Sequence, residues 1–120
     1  MAKIMIADDS DAIRLVLKDI LSIGEHEVVG EAVDGAEAVE FYSSQKPDIL
    51  LLDLAMPKKD GFTVVKEVMA LDPDAKIILI TASDNQKVIQ QCLEAGASAY
   101  VSKPFDFDNV LKIINDTISK

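Results

Sequence analysis

Short apolar runs and amphipathic stretches alternate along the chain. Each run has four to six residues and is rich in aliphatic and β-branched side chains, which is typical of strands. The runs are Lys3–Ala7, Glu27–Ala32, Asp48–Asp53, Lys76–Thr81 and Ala99–Ser102. The first, third and fourth have almost wholly apolar centres, as strands do in a parallel sheet that is covered on both faces.

Between the runs, apolar residues recur every three or four positions, which predicts helices that each bury one face. The stripes are Ile13, Val16, Leu17, Ile20 and Leu21; Ala38, Val39 and Tyr42; Val64, Val65, Val68 and Met69; Val88, Ile89, Cys92 and Leu93; and Phe107, Val110, Leu111, Ile114 and Ile118. The second stripe is the weakest of the five. Five strand–helix units in succession predict an α/β fold, a doubly wound five-stranded parallel sheet with five helices on both faces.

Residues that commonly begin or end helices lie at the boundaries of the predicted helices. Their positions fit N-caps, capping boxes and C-terminal breakers. They are Ser10 and Gly24 around the first helix, Asp34 with Glu37, Asp60 with Gly61, Ser83 with Gln86, and Pro47, Pro73 and Gly96 after helices two, three and four.

Composition narrows the class of protein. A length of 120 residues with 49% hydrophobic and 28% charged residues indicates one globular domain over residues 1–120. The net charge of −9 disfavours nucleic acid and anionic membranes as partners. No run approaches the roughly 18 apolar residues of a membrane helix, and nothing resembles a signal peptide. With Cys92 as its one cysteine, the chain cannot form a disulfide framework. We therefore expect a reduced, cytoplasmic protein.

Acidic residues follow two of the predicted strands. Asp8 and Asp9 follow the first, and Asp53 ends the third. In sheets of this kind, ligands bind outside the carboxyl ends of the strands. Carboxylates about 6 Å apart repel by about 3 kcal/mol per pair at an effective dielectric of 20, so three together need a counter-charge. Mg²⁺ with oxygen ligands is the natural one, whereas zinc is disfavoured because no His or Cys is near.

Groups that suit an anion follow the other strands. Thr81 ends the fourth strand with a hydroxyl, and Lys103 follows the fifth with an ammonium group. Carboxylate, metal, lysine and hydroxyl together favour phosphoryl transfer, in which a carboxylate can itself form an aspartyl phosphate. The bond between Lys103 and Pro104 can adopt the cis form, and a fixed bend there would aim Lys103 inward.

In this order the motifs resemble the receiver domain of two-component response regulators, of the CheY type. The resemblance covers the whole chain. It rests on Asp8-Asp9, Asp53, Met56-Pro57-x-x-Asp60-Gly61, Thr81, Tyr100 and Lys103-Pro104-Phe105. It implies a flavodoxin-like sheet with strand order 2-1-3-4-5, of which CheY is a standard example.

The resemblance also implies roles for the site residues. Asp53 would be the phospho-acceptor. Asp9, Asp53 and the backbone carbonyl of Ala55 would ligate Mg²⁺ directly, with Asp8 acting through a water and Mn²⁺ as an expected substitute. Lys103 would pair with the phosphoryl oxygens. Such a protein is a signalling switch and not an enzyme, because it catalyses only its own phosphorylation and dephosphorylation.

A switch and its partners follow from the same resemblance. The phosphate would draw in the Thr81 hydroxyl, and Tyr100 would follow, which changes the face formed by helix four, strand five and helix five. We expect a histidine kinase as phosphodonor and a protein target at that face, in a monomer without an output domain. A chemotaxis messenger is the first interpretation; a phosphorelay intermediate that passes the phosphoryl group to a histidine phosphotransferase is the alternative. The small Ala55 and Ser83 flank the site, and we expect slower self-hydrolysis than an amide or acid at these positions would give.

Three other classes fit less well. Asp9-Ser10-Asp11 superficially resembles the nucleophile motif of haloacid-dehalogenase-type phosphatases, but these need a second acidic motif and usually a longer chain. A flavin-binding protein would need a phosphate loop, and the acidic first loop would repel phosphate. A pseudo-receiver would lack site residues that are present here. Of the remaining residues, His26 is expected in an exposed loop and Cys92 in the core.

Overall fold

Strands and helices alternate in the computed structural model, which describes residues 2–82 and 86–119. In chain order they are β1 (Lys3–Ala7), α1 (Asp11–Ile23), β2 (Glu27–Ala32), α2 (Gly35–Gln45), β3 (Ile49–Asp53), α3 (Gly61–Leu71), β4 (Ile77–Thr81), α4 (Gln86–Glu94), β5 (Ala99–Ser102) and α5 (Phe107–Ile118). β3 and β4 begin one residue later than predicted. Asp48 and Lys76 still bond to neighbouring chain segments through their backbones, but they precede the continuous ladder.

The sheet has the order β2-β1-β3-β4-β5, and its paired strands are parallel. This confirms the predicted doubly wound α/β fold. Because all strands run the same way, the residues that end them lie along one edge. The β4–β5 register, for example, places Thr81 opposite Ser102.

Apolar residues on both faces of the central strands explain why helices cover both sides. Side chains alternate across a strand, so Met5, Leu50 and Leu79 face one way, where they pack with α2, α3 and α4. Their neighbours Ile6 and Leu51 face the other way and pack with α1 and α5. Two cores therefore hold the sheet between helical layers and fix its carboxyl edge.

Three predicted N-caps are confirmed. The side chains of Ser10, Asp34 and Asp60 accept backbone N–H groups at the starts of α1, α2 and α3. Glu37 differs in detail from a capping box: its carboxylate accepts the N–H of Val33, the residue before the cap, at 3.0 Å. The Ser83–Gln86 capping box lies partly outside the described residues.

Two smaller predictions have different outcomes. Cys92 is buried in the core, as expected. His26 lies in a loop, as expected, but the prediction that it is exposed is wrong: the residue is half-buried, and its Nδ1 accepts the backbone N–H of Ala2 at 3.1 Å. Across residues 2–82 and 86–119, none of the helices has the length and apolar character needed to span a bilayer.

Candidate functional site

The carboxyl ends of β1, β3, β4 and β5 meet at an open cleft of about 540 Å³. Its lining includes Asp9, Asp53, Ala55, Thr81 and Lys103. Asp8 is buried next to Asp9 and Asp53. The parallel sheet thus brings together all of the residues predicted at strand ends, as the sequence led us to expect.

Three carboxylates form the acidic side of the cleft. Asp8, Asp9 and Asp53 each offer one oxygen, and these oxygens lie within 4.8 Å of one another. At that separation each pair repels by about 3.5 kcal/mol at an effective dielectric of 20. Such a cluster favours a cation, and a ligand set made only of oxygen fits a hard divalent ion such as Mg²⁺.

Lys103 supplies positive charge beside this cluster. Its Nζ lies 3.4 Å from Asp8 Oδ2 and 3.6 Å from Asp53 Oδ1, and its side chain is 19% exposed. The Lys103–Pro104 peptide bond is cis, as the sequence allowed. The backbone N–H of Lys103 also donates to the carbonyl of Thr81 at 2.7 Å. The inward orientation predicted for this lysine is therefore confirmed.

Every polar group of Asp8 has a hydrogen-bond or ion-pair partner. Its N–H donates to the carbonyl of Ala32 at 3.0 Å. One carboxylate oxygen accepts the N–H of Ser10 at 2.9 Å, and the other faces Lys103. Its own carbonyl accepts a hydrogen bond from Arg14. This carboxylate is consequently fixed, whereas that of Asp9 is exposed at the cleft.

Asp53 is the buried carboxylate that faces the cleft. Burial raises its pKa above the usual range, and the charges of Asp8 and Asp9 act in the same direction. The N–H of Ala55, 3.2 Å from Asp53 Oδ1, and the ammonium of Lys103 lower the pKa and offset part of that rise. Without a cation in the cleft, this carboxyl group therefore gives up its proton less readily than one in water.

The residues expected to form the switch lie on neighbouring strands. Thr81 is buried and lines the cleft. Tyr100 is 39% exposed on β5, one of the elements of the predicted output face. Ala55 is exposed and lines the cleft. Ser83, which we expected to flank the site on the other side, lies outside the described residues.

The loop that follows Asp53 packs closely against the start of α3 and is joined to α2 by an ion pair. A Cβ on Gly61 would lie 2.4 Å from Leu54 Cδ2, so only glycine permits this approach of α3 to the loop. On the far side of the loop, Lys58 Nζ lies 3.3 Å from the buried carboxylate of Asp34. The loop is thereby tied to both α2 and α3.

Sequence reasoning missed Arg14, whose guanidinium joins α1 to the cleft. Its Nη1 donates to the Asp8 carbonyl at 2.6 Å, and its Nε donates to Glu31 at 3.1 Å. Lys18 donates to the other oxygen of Glu31. The sequence carried one signal for this contact. Arg14 and Lys18 lie four residues apart beside the apolar stripe of α1, and a partly buried cation there needs an acidic partner.

Comparison with known proteins assigns this arrangement to a family. The family model described as "response regulator receiver domain" matches residues 4–115. The chain is 41% identical over 117 residues to the chemotaxis protein CheY of Bacillus subtilis, and the match covers 98% of each.

Solved structures agree with this match. A CheX–CheY–BeF3–Mg²⁺ complex from Borrelia burgdorferi superposes with a TM-score of 0.94 at 32% identity, covering 98% of this chain and 90% of the other. The receiver domain of the sensor histidine kinase PA1611 from Pseudomonas aeruginosa PAO1 superposes with a TM-score of 0.89 at 27% identity, covering 99% and 98%. That structure has a magnesium ion coordinated in its active site cleft.

Proposed function

The chain belongs to the response regulator receiver family, and we propose that it accepts a phosphoryl group from a histidine kinase onto Asp53. The observation that carries the proposal is the meeting of Asp8, Asp9, Asp53 and Lys103 at one cleft. Mg²⁺, with Mn²⁺ as a substitute, would be held by Asp9, Asp53 and the carbonyl of Ala55, with Asp8 acting through water. When bound, the ion neutralises charge that develops on the phosphoryl oxygens.

In the proposed reaction, a carboxylate oxygen of Asp53 attacks the phosphorus of a phosphohistidine. An O–P bond forms and the N–P bond breaks. The electron pair returns to the donor nitrogen, which takes a proton from water. Lys103 would pair with a phosphoryl oxygen; its Nζ lies 3.6 Å from Asp53 Oδ1, which supports this role. Burial favours this chemistry because fixed charges act more strongly where water is excluded.

The new phosphate then acts as a switch. It adds charge and three acceptor oxygens beside the Thr81 hydroxyl. We propose that Thr81 turns toward it and that Tyr100, exposed on β5, moves inward into the space released. The face formed by α4, β5 and α5 changes as a result and binds a protein target. NMR of the Tyr100 ring with and without phosphorylation tests this step, and an unchanged ring environment would contradict it.

A chemotaxis messenger is the target class that we propose, because chemotaxis CheY proteins are relatives that match along almost their whole length. The alternative is a phosphorelay intermediate that passes the phosphoryl group to a histidine phosphotransferase. Incubation of the phosphorylated protein with a histidine phosphotransferase separates the two: rapid loss of the label to histidine supports a relay. Single-domain action, a monomeric state and a cytoplasmic location remain predictions from the sequence.

Slow self-hydrolysis is proposed from the methyl group of Ala55. A methyl group cannot orient an attacking water, whereas an amide can. Ala55→Asn should therefore shorten the lifetime of the phosphorylated protein. A lifetime equal to that of the wild type would contradict this proposal.

Phosphorylation by acetyl phosphate tests the proposed function as a whole. Intact mass should show the gain of one phosphoryl group that requires Mg²⁺ and is absent from Asp53→Asn. Asp19→Asn is the matched control, because Asp19 is an exposed aspartate of α1 and should leave the gain unchanged. No gain in the wild type, or a gain in Asp53→Asn at the wild-type level, would contradict the proposal.

A further inference from the structure

We propose that Arg14 is a positioning residue for the metal site, because its guanidinium fixes the peptide that carries Asp9. The inference rests on the proposed function, since it concerns the divalent cation held by Asp9 and Asp53. Arg14 touches neither the expected ion nor the phosphoryl group. It acts through the backbone of the acidic pair.

The guanidinium is fixed from three directions. Nη1 donates to the Asp8 carbonyl at 2.6 Å, Nε donates to Glu31 Oε1 at 3.1 Å, and Nη2 donates to Asp11. The Arg14 side chain is only 11% exposed. A planar guanidinium cannot rotate without giving up one of these partners. The Asp11 side chain is 93% exposed and holds the guanidinium only weakly, so the partly buried ion pair with Glu31 sets the bond to the Asp8 carbonyl.

The bonded carbonyl belongs to the peptide that joins Asp8 to Asp9. That peptide unit is planar, so the direction of the carbonyl also sets the direction in which the Asp9 backbone leaves β1. The Asp8 side chain and N–H have their own partners in Ser10 and Ala32. Asp9 is exposed, and its carboxylate therefore depends on the backbone for its place beside Asp53.

The sign of the effect separates positioning from simple electrostatics. Arg14 carries a positive charge close to the acidic cluster, and a positive charge disfavours a bound cation. If charge were its whole contribution, removing Arg14 would strengthen Mg²⁺ binding. Positioning predicts the opposite, because a ligand released from its place binds the ion less well.

The test is Mg²⁺ binding to the unphosphorylated protein, measured by calorimetry and by amide shifts of Asp9 and Asp53. Arg14→Met should raise the dissociation constant about ten-fold, the size typical for groups that orient metal ligands. Arg14→Lys keeps the charge but loses the planar guanidinium that donates to several partners at once. It should raise the dissociation constant by a smaller factor. Lys18→Met is the matched control: Lys18 also donates to Glu31, from the same helix, and the variant should bind as the wild type does.

A kinetic measurement adds a second readout. With acetyl phosphate as donor, Arg14→Met should need more Mg²⁺ to reach half of its maximal rate. At saturating Mg²⁺ the rate should return close to that of the wild type, since Asp53 and Lys103 are untouched. A general loss of structure would instead lower the maximal rate and broaden the amide spectrum.

Each outcome decides the matter. Equal or tighter Mg²⁺ binding by Arg14→Met overturns the inference, and so does an equal weakening in Lys18→Met. If Arg14→Met fails to fold, Arg14→Lys decides by the same comparison: weaker Mg²⁺ binding supports the inference and unchanged binding overturns it. A wild-type protein that binds no Mg²⁺ overturns the proposed function as well, whereas normal wild-type binding with an unaffected Arg14 variant overturns this inference alone.

Discussion

Replacing Asp53 by asparagine should stabilise the protein when no divalent cation is present. The Asp53 carboxylate is 5% exposed and lies within 4.8 Å of oxygens from Asp8 and Asp9. At a dielectric of 20 these two neighbours together repel it by about 7 kcal/mol. Lys103, at 3.6 Å, offsets about 4.6 kcal/mol of this by the same formula. A net repulsion of about 2 kcal/mol remains, and an amide removes it.

The expected gain in the free energy of unfolding is about 1–2 kcal/mol, because water around the exposed Asp9 screens part of the repulsion. Urea denaturation in EDTA measures it, with Asp19→Asn as the control for loss of one negative charge at an exposed position. In Mg²⁺ the wild type should become more stable than Asp53→Asn. An ion that binds the folded state stabilises it, and Asp53→Asn has lost one of the proposed ligands.

The difference in free energy of unfolding between Asp53→Asn and the wild type should also depend on pH. The folded-state pKa of Asp53 is raised, so the carboxyl contributes most favourably below its unfolded-state pKa, where it is protonated. That contribution is lost as the pH rises through the folded-state pKa. The advantage of Asp53→Asn should therefore be full above the folded-state pKa and shrink as the pH falls through it toward the unfolded-state value. If Asp53→Asn is no more stable than Asp19→Asn, or if the gap does not change with pH, repulsion within the acidic cluster does not destabilise the protein.

Three further predictions concern stability away from the charge cluster. Tyr42→Phe removes the hydroxyl that donates to Asp72 at 2.9 Å and should lower the free energy of unfolding by about 1 kcal/mol in urea; no change would contradict it. Gly61→Ala should lower it by about 1–3 kcal/mol, because the new methyl group would lie 2.4 Å from Leu54; an undiminished midpoint of unfolding would count against that close approach. Burial lowers the pKa of His26 below its usual 6.5. The neutral ring therefore stabilises the folded protein above that pH, and this stabilisation is lost as the pH falls through the folded-state pKa. The wild type should lose stability over that range relative to His26→Gln, and parallel curves would exclude the effect.

The fold could be predicted from the sequence because its two periodicities are unusually clear. The apolar centres of β1, β3 and β4 indicate strands buried on both sides, and such strands need helices above and below. The site followed from one geometric consequence, since the ends of parallel strands share an edge. Asp9, Asp53 and Lys103 could therefore be grouped although they are far apart along the chain.

The remaining contacts could not be predicted because they depend on how far side chains reach across the folded protein. Arg14 meets the Asp8 carbonyl only when α1 packs on its side of the sheet. His26 is half-buried because the backbone of Ala2 passes close enough to donate to it. No local pattern encodes either distance. Position along the chain predicts which residues share an edge, whereas packing decides which atoms touch.

Phosphorylation of Asp53 can be detected by chemical trapping of the acyl phosphate, which identifies the modified residue itself. The protein is treated with acetyl phosphate and Mg²⁺, reduced with borohydride, digested and sequenced by mass spectrometry. Reduction converts a phosphorylated aspartate to homoserine and leaves an unmodified aspartate intact. We expect homoserine at position 53 in the Mg²⁺ sample and none when EDTA replaces Mg²⁺. Homoserine at Asp8 or Asp9 with Asp53 intact would contradict this expectation.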